Sequence, residues 1–522
     1  MDRFSGKFVL RYILPAALVI LALMLGGAAF AADGGRVLKM RTSITLPSLD
    51  WEQTTTTINM KVWHQMFEGL YGMDEAHGGY YDELAKEVKI SDDQLTYTIT
   101  LVDGVTFQNG DPLKASDVVF SYNRARKNSR FNYLTSMIED VKAVDDKTVE
   151  FKLNTPYSPI AHTFFCIKIA SEREITEQGD KYGTVPHKAG TGPYYVTEYN
   201  VATGLKMKAY EGYWRGAPAI EDVEYVVIGD EAAAVIAFQN HEIDYFEDVP
   251  MTDWDFVAEA AGGHSKLLKG NNVITFNINY LSPTNNNVLS NQKVREAIFY
   301  AINKADINMA ACDGRGVEAY QYMPDDYVPT SPKEGFKTYE YNPEKAKELL
   351  KEAGYPDGVD VGTILTYGDV TAIKAVTAQV IQANLAEVGI TAQVSVMETA
   401  VVTPRLYAQD YDLCIFSDYG NFDYNNIRQQ VHSESTGMYV VRYKDDKSPF
   451  DWKRIEELVD LGVGTADVRK RLGYYTELWS IVSDTATILP CVHYAVGVVW
   501  SSGLDIGDAV PTYYKIRNFK WL

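Results

Sequence analysis

The residue types that most often carry catalysis are present in this sequence, but their spacing forms no catalytic or metal-binding motif. No two histidines have the H-E-x-x-H spacing of a zinc enzyme, no two cysteines form C-x-x-C, and no G-x-S-x-G elbow, P-loop or glycine-rich dinucleotide turn occurs. These residues are instead spread along the chain, at His64, His77, His162, His187, His241, His264, His432 and His493 and at Cys166, Cys312, Cys414 and Cys491. Metal-dependent and nucleophilic catalysis therefore have no support from motifs. In an oxidising compartment the four cysteines allow one or two disulfides, whose pairing the sequence does not give.

Neighbouring acids are a second possible source of chemistry. Asp92-Asp93 and Asp145-Asp146 lie in turns between predicted strands, where solvated turn chemistry explains them. A glycoside hydrolase needs two carboxylates on opposite walls of a cleft, and nothing in the sequence points to such a pair. An exported hydrolase stays open as an alternative of another class.

The first residues have the pattern of an export signal. Arg3, Lys7 and Arg11 precede an apolar run over 13–29, and Ala29-Phe30-Ala31 has the A-x-A form of a signal-peptidase site. We expect cleavage after residue 31, although the run is also near the lower length limit of a membrane anchor. No cysteine near the cut could carry a lipid, so we expect a released protein in a periplasm.

The remaining 491 of the 522 residues exceed what one hydrophobic core usually organises, so several domains are expected. Loss of the leader moves the formal charge from −21 to −23. Such a surface repels nucleic acid and anionic lipid and attracts cationic solutes.

Strands and helices alternate along the chain. Residues 95–101 alternate in polarity and then turn at Asp103-Gly104 into 105–107, which predicts a hairpin, and Ser116 or Asp117 is expected to cap the next helix. Residues 149–153 predict another strand.

The second half is also α/β. Helices are predicted from apolar spacing at 294–302, from the Asn342-Pro343 cap to Gly354, and over 372–388, followed by a strand at 394–396. Without a long linker, the domains are expected to join through ordered strands, at Asn271-Asn272 and at Thr487 to Tyr494.

The order of these segments resembles that of the family 5 extracytoplasmic solute-binding proteins, which include the dipeptide, oligopeptide and nickel binders of ABC importers. The resemblance is most specific over Tyr97–Tyr122, from Tyr97-Thr98-Ile99-Thr100-Leu101 through Gly104–Gly110 to Ala115–Tyr122. It continues in the family order through Gly190–Tyr194, Tyr213–Pro218, Gln239–Asp244, Phe276-Asn277, Val294–Ala297 and Asn342–Gly354.

This resemblance implies an α/β, two-lobed periplasmic binding protein of the class II (cluster C) type, with two hinge strands. The first lobe would comprise 32–270 and 488–522, with an extra subdomain at about 57–175, and the second lobe 271–487. In peptide-binding members the ligand lies extended between the lobes and pairs with strand backbone.

The resemblance also implies a ligand strand and loop over 411–421. Asp418 matches the carboxylate that receives a peptide's amino group, and Phe416 and Tyr419 lie beside it; a turn-capping aspartate is the alternative. The Gly-Trp pair usual before this aspartate is replaced here by residues that include Cys414. Asp423 matches a slightly later acid of dipeptide-type members and could share the role, or be a solvated loop acid.

In the first lobe, the resemblance places Trp51 and Thr54, Thr55, Thr56 and Thr57 in a ligand-facing loop. Helix capping is the alternative for the threonines and core packing for Trp51. Arg405 and Arg442 are the candidates for a carboxylate clamp, with a surface role as the alternative.

The function implied is capture of a small ligand, foremost a peptide, and its delivery to an inner-membrane ABC permease by a monomer that needs no cofactor and no metal. A metal chelate, an oligosaccharide or another amine stays open as the ligand. A signalling role through a membrane chemoreceptor would be compatible with transport.

Overall fold

The computed structural model describes residues 35–53, 57–74, 79–247, 249, 254–324, 328–368, 372–419, 423–432, 451–508 and 514–522. The predicted signal peptide therefore lies outside the described residues.

The strands form one large mixed sheet and three small ones. They are β1 (Leu38–Thr42), β2 (Tyr71–Asp74), β3 (Gly79–Asp82), β4 (Ala85–Ile90), β5 (Thr96–Leu101), β6 (Ile138–Ala143), β7 (Thr148–Leu153), β8 (Tyr194–Asn200), β9 (Gly204–Ala209), β10 (Asp222–Val227), β11 (Tyr245–Glu247), β12 (His264–Ile278), β13 (Val317–Glu318), β14 (Val359–Tyr367), β15 (Ile390–Met397), β16 (Leu413–Tyr419), β17 (Ile488–Trp500), β18 (Leu504–Asp505) and β19 (Lys520–Trp521). The large sheet has the order β15-β14-β16-β12-β17-β11-β1-β10-β9-β8, with β13 paired to β17.

Helices cover this sheet and connect its strands. Besides the irregular helical turn Thr284–Asn287, they are α1 (Thr57–Met66), α2 (Ala115–Lys127), α3 (Asn132–Thr135), α4 (Ile160–Cys166), α5 (Glu172–Gln178), α6 (Glu231–Gln239), α7 (Trp254–Ala260), α8 (Gln292–Ala301), α9 (Lys304–Cys312), α10 (Pro343–Glu352), α11 (Ile373–Glu387), α12 (Thr399–Ala408), α13 (Arg428–Val431), α14 (Trp452–Val463) and α15 (Val468–Asp484). The predicted α/β class is confirmed.

Two strands, β12 and β17, run through both halves of the molecule. They pair antiparallel from His264↔Trp500 to Asn277↔Ile488. The register shifts by one residue between Ile274 and Thr275, and it has a longer break between Leu268 and Asn272. Among the described residues, no buried apolar cluster mixes the two sides of this break. Two lobes with separate cores therefore share one continuous sheet. The lobe boundaries given above stay a prediction, and we propose that the register break is the hinge.

The first lobe contains a second sheet, of order β4-β5-β7-β6, which packs on α2 and α4. The Tyr122 ring contacts Phe151 edge-on at 4.7 Å between centroids, and Phe151 lies 5.1 Å from Phe164. These aromatic contacts join the small sheet to the main core of the lobe.

The two ends of the described chain meet in the first lobe. Trp521 donates its indole N–H to the carbonyl of Arg36 at 3.1 Å, and the Arg36 guanidinium lies 3.7 Å from the Trp521 ring centroid. Gln65 of α1 donates to the carbonyl of Tyr514 at 2.9 Å and accepts from the amide of Ile516 at 3.0 Å. The first lobe is thus built from segments on both sides of the second lobe in the sequence.

The predicted hairpin at Asp103-Gly104 is wrong. β5 pairs with β4 and β7, whereas Thr106 bridges to Pro112 across a turn at Gly110. The alternation of 95–101 correctly located the strand, but alternation carries no information about the partner. The expected cap is also displaced, because α2 begins after Lys114 and the Asp117 carboxylate reaches back to the Lys114 amide at 3.0 Å.

Candidate functional site

The carboxyl ends of the parallel strands in both lobes face the register break of β12 and β17, the two strands that cross between the lobes. In the second lobe β14 runs parallel to β15 and β16, and Tyr419 at the end of β16 pairs with Asn272. In the first lobe β1 runs parallel to β10 and β11, and Glu247 at the end of β11 pairs with Val498. Ligands of open α/β sheets bind outside the carboxyl ends of strands. The region between these two edges is therefore the candidate site.

Asp418 lies at the carboxyl end of β16, opposite Val273 of β12. Its carboxylate Oδ2 accepts hydrogen bonds from the Tyr322 hydroxyl and, at 2.9 Å, from Nδ2 of Asn426. Burial, together with the nearby Asp418 carboxylate, raises the pKa of Tyr322 well above its usual range, so this hydroxyl stays a donor. The half-buried Asp418 is thus an ionisable group with a fixed orientation at the edge of the candidate site.

Asp423 has a different environment. Its side chain is buried, its Oδ2 lies 2.5 Å from Nη2 of Arg471, and its Oδ1 accepts from the Asn425 amide at 3.0 Å. Burial raises the pKa of Asp423 although Arg471 opposes the shift. Asp423 is therefore not a solvated loop acid. The short turn that it caps, Tyr424–Ile427, carries Asn426 to Asp418.

The other second-lobe candidates lie on β16. The Phe416 side chain is only 5% exposed and packs with Leu365, Cys414 and Val402 in a buried cluster. The backbone of Tyr419 pairs with Asn272, and its side chain lies outside the described atoms. A role of either residue in ligand binding stays a prediction.

Of the first-lobe candidates, the structure describes the side chain of Trp51 but not those of the threonines. Trp51 is 2% exposed and contacts the edge of Phe131 at 5.2 Å between centroids, which agrees with the packing alternative. Thr57 is the first residue of α1, and Thr54, Thr55 and Thr56 lie outside the described residues. Their proposed contact with a ligand is also still a prediction.

A small cavity of about 20 Å³ opens at the carboxyl edge of the first lobe. It is lined on one side by Lys61 of α1, which forms a buried ion pair with Glu247, and Tyr245 donates to the same carboxylate at 2.7 Å. Arg41 also lines the cavity and donates to the carbonyl of Ile228 at 2.9 Å. A cavity of this size holds about one water molecule. This edge therefore offers a rigid, charged surface.

Arg405 lies away from this region. It pairs with Asp410 at 2.9 Å and lines a polar pocket of about 420 Å³ at the amino end of β16, beside Asp412. The strand's length separates it from Asp418. The other candidate arginine, Arg442, lies outside the described residues.

The sequence did not reveal the residues that hold the two acids, namely Tyr322, Asn426 and Arg471. Tyr322 lies 96 residues before Asp418 in the chain and is one of 36 tyrosines, so no local pattern marks it. Of the three, only Asn426 could have been found from the sequence, since it lies eight residues after Asp418 in the same polar segment of the chain.

Among the described side chains, no group of three or more histidine, cysteine, aspartate or glutamate residues is arranged to hold a metal ion. The four cysteines are free and buried. In the same part of the chain, no helix is both long enough and apolar enough to cross a bilayer.

Sequence comparison gives a family match over most of the chain. Residues 79–437 match the bacterial extracellular solute-binding proteins, family 5, middle domain. The glutathione-binding protein GsiB of Escherichia coli K12 is 29% identical over 392 residues, which cover 73% of each chain.

Solved structures show the same fold. The dipeptide-binding protein of Pseudoalteromonas sp. SM9913, in complex with Met-Leu, is 20% identical with a TM-score of 0.80 and covers 93% of this chain and 100% of its own. NikA of Brucella suis, in complex with Fe(III)-EDTA, is 19% identical with a TM-score of 0.82 over the same shares. The predicted two-lobed binding-protein fold is thereby confirmed, and the chain belongs to the family 5 bacterial extracellular solute-binding proteins.

Proposed function

We propose that this solute-binding protein captures a short peptide between its lobes and delivers it to the permease of an ABC importer. The observation that carries the peptide assignment is Asp418, an oriented carboxylate at the carboxyl edge of the second lobe. The names of relatives support the same class, because GsiB binds glutathione and a structural neighbour holds Met-Leu.

A carboxylate in this position suits a peptide's amino terminus. An ammonium group that leaves water on binding needs an ionised partner, since burying it unpaired costs several kcal/mol. Two donors on Oδ2 hold Asp418 in one orientation before any ligand arrives. Preorganisation of this kind lowers the entropy lost on binding. We propose Asp418 rather than Asp423 as the amine partner, because the half-buried Asp418 lies at the carboxyl edge of β16, whereas the Asp423 side chain is buried inside the lobe.

Capture requires no chemistry on the ligand. A ligand that contacts both lobes stabilises the closed form by the difference between its affinities for the closed and open forms. The permease would then recognise the closed shape. Binding without catalysis, a monomeric state, export through a cleaved signal peptide and residence in the periplasm are all parts of this proposal.

The test compares peptides that differ only at the amino terminus. Isothermal titration would measure glutathione and Met-Leu, and the N-acetylated form of each, against the wild type and Asp418→Asn. Asparagine keeps the acceptor for Tyr322 and Asn426 but removes the charge. We expect free-amine affinity to fall about 10- to 100-fold, as for the loss of a charged hydrogen bond, and acetylated peptides to change little.

The matched control is Asp357→Asn, which removes the same charge from an exposed turn of the same lobe and should leave all affinities unchanged. Equal losses for free and acetylated peptides would remove Asp418 from the amine role. Mass spectrometry of molecules released on denaturing protein purified from its native source tests the ligand class independently. A metal chelate or a sugar in that extract would contradict the peptide assignment.

A further inference from the structure

The loop between β7 and α4 reaches from the first lobe to the second. The amide of Ser158 donates to the carbonyl of Val463 at 2.8 Å, and the Ser158 hydroxyl donates to the same carbonyl at 2.9 Å. The hydroxyl also lies 3.4 Å from the carbonyl of Gly462. These carbonyls end α14, so a residue of one lobe caps a helix of the other.

Such a cap has a physical reason. The last carbonyls of a helix have no partner within the helix, and they must bond to water, to a side chain or to another segment. When the lobes separate, water replaces Ser158 at the end of α14. The contact is therefore formed only when the two lobes lie against each other.

Tyr157, the residue before Ser158, belongs to the first lobe. Its half-buried ring packs against the apolar core of the first lobe. Burial raises its pKa, and the charges of Arg428 and Asp423, both in the second lobe, act on it in opposite directions. The main chains are also close here, since a Cβ at Gly464 would lie 3.8 Å from the carbonyl oxygen of Pro156.

A second contact between the lobes lies beside the crossing strands. Nη2 of Arg315 lies 2.9 Å from Oδ2 of Asp255, and the Arg315 guanidinium lies 4.7 Å from the Trp254 ring centroid. Val317, two residues after Arg315, pairs with His493 on β17. A contact next to a hinge moves little on opening, whereas Ser158 and Val463 belong to elements outside the shared sheet and must separate.

We propose that Ser158, through its bonds to the end of α14, forms a latch that stabilises the closed form independently of the ligand. This inference rests on the proposed capture of a ligand between the lobes. A bond made only on closure adds the same free energy to the binding of every ligand. The latch therefore sets overall affinity and release rate, whereas Asp418 determines which ligands bind.

Hydrogen exchange of the full-length, ligand-free protein tests the latch directly. In the wild type we expect the Ser158 amide to be protected by its bond to Val463. Gly464→Trp places a bulky side chain between the loop and α14, and we expect the Ser158 amide then to exchange like an unbonded one. The Ser171 amide, which donates to Ala189 within the first lobe at 2.9 Å, should stay protected in both proteins.

The matched control is Gly473→Trp, since nothing lies within 4 Å of the position of a Cβ at this exposed residue of α15. It should leave the Ser158 amide unchanged. Equal exchange of Ser158 in the wild type and in Gly464→Trp overturns the latch. Loss of protection at Ser171 would show misfolding, and Ser158→Ala then decides the question.

Ser158→Ala removes the hydroxyl but keeps the amide. We expect the affinities for glutathione and Met-Leu to fall by one common factor of about two to ten, which corresponds to one neutral hydrogen bond, with faster dissociation of both. An unequal change would make Ser158 a ligand contact and overturn the latch, as would no change. If neither peptide binds the wild type, the peptide assignment fails, while the exchange comparison of wild type and Gly464→Trp still decides the latch.

Discussion

Arg471 of α15 holds the carboxylate of Asp423 at 2.5 Å inside the second lobe, and both side chains are about nine-tenths buried. The pair fixes the start of the turn that carries Asn426 to Asp418. The orientation of the proposed amine partner thus depends on an ion pair that lies beneath the site.

Loss of one member of this pair should be strongly destabilising. Arg471→Met leaves a buried carboxylate without its cation, and we expect the free energy of unfolding to fall by about 3–5 kcal/mol. The double variant Asp423→Leu/Arg471→Met should recover much of this loss, because no charge stays buried. Urea denaturation followed by circular dichroism measures both. A single variant as stable as the wild type would show that the pair contributes nothing.

The Tyr322 hydroxyl should stabilise the fold through Asp418. Tyr322→Phe keeps the buried ring and removes one donor from a charged acceptor, so we expect a loss of about 1–3 kcal/mol in unfolding free energy. Tyr320→Phe is the matched control, since that hydroxyl bonds Glu318 and Glu340 at the surface. We expect the control to change stability by less than about 0.5 kcal/mol. Similar losses in both variants would contradict a special role of Tyr322.

Lys304 should make the free energy of unfolding depend on pH in the alkaline range. Burial lowers its pKa to about 8, while its ammonium donates to the Ala319 carbonyl at 2.5 Å and lies 3.9 Å from the Tyr320 ring centroid. Between pH 8 and the unfolded value near 10.5, the unfolded chain binds more protons at this site than the folded one. The contribution of Lys304 to stability therefore rises with pH across this window.

Comparison of the wild type with Lys304→Met isolates that contribution. From pH 8 to pH 10 the wild type should gain about 2–3 kcal/mol relative to the variant. Urea denaturation at several pH values provides the measurement. A difference in stability that does not vary with pH would mean that Lys304 titrates normally in the folded protein.

The cysteines should be unreactive until the protein unfolds. All four are free and buried, and burial raises the pKa of each thiol to about 12. Ellman's reagent at pH 8 should therefore detect no thiol in the native protein and four in guanidinium. Two thiols or none after denaturation would instead show disulfides.

Local patterns in the sequence located elements but not their partners. Alternation at 149–153 gave β7, and the Asn342-Pro343 cap with Gly354 gave α10, because propensity and capping act over a few residues. The hairpin at Asp103-Gly104 failed because strand pairing is a long-range property. The site behaves in the same way. The strand that carries Asp418 could be predicted from the residues around it. Tyr322 is distant from Asp418 in the sequence, and only the folded chain brings the two side chains together.

The position of the second lobe within the first has a consequence for the order of biosynthesis. β17 completes the first lobe's half of the large sheet, and the segment from Tyr514 to Trp521 closes the lobe against Gln65 and Arg36. The second lobe's core reaches to Val492 of β17, so a ribosome produces the closing segment from Tyr514 to Trp521 only after every residue of that core. During synthesis and export, the second lobe can therefore fold first, while the first lobe waits as an incomplete intermediate. This gives a chaperone or a translocation channel time to act on a chain that is not yet closed.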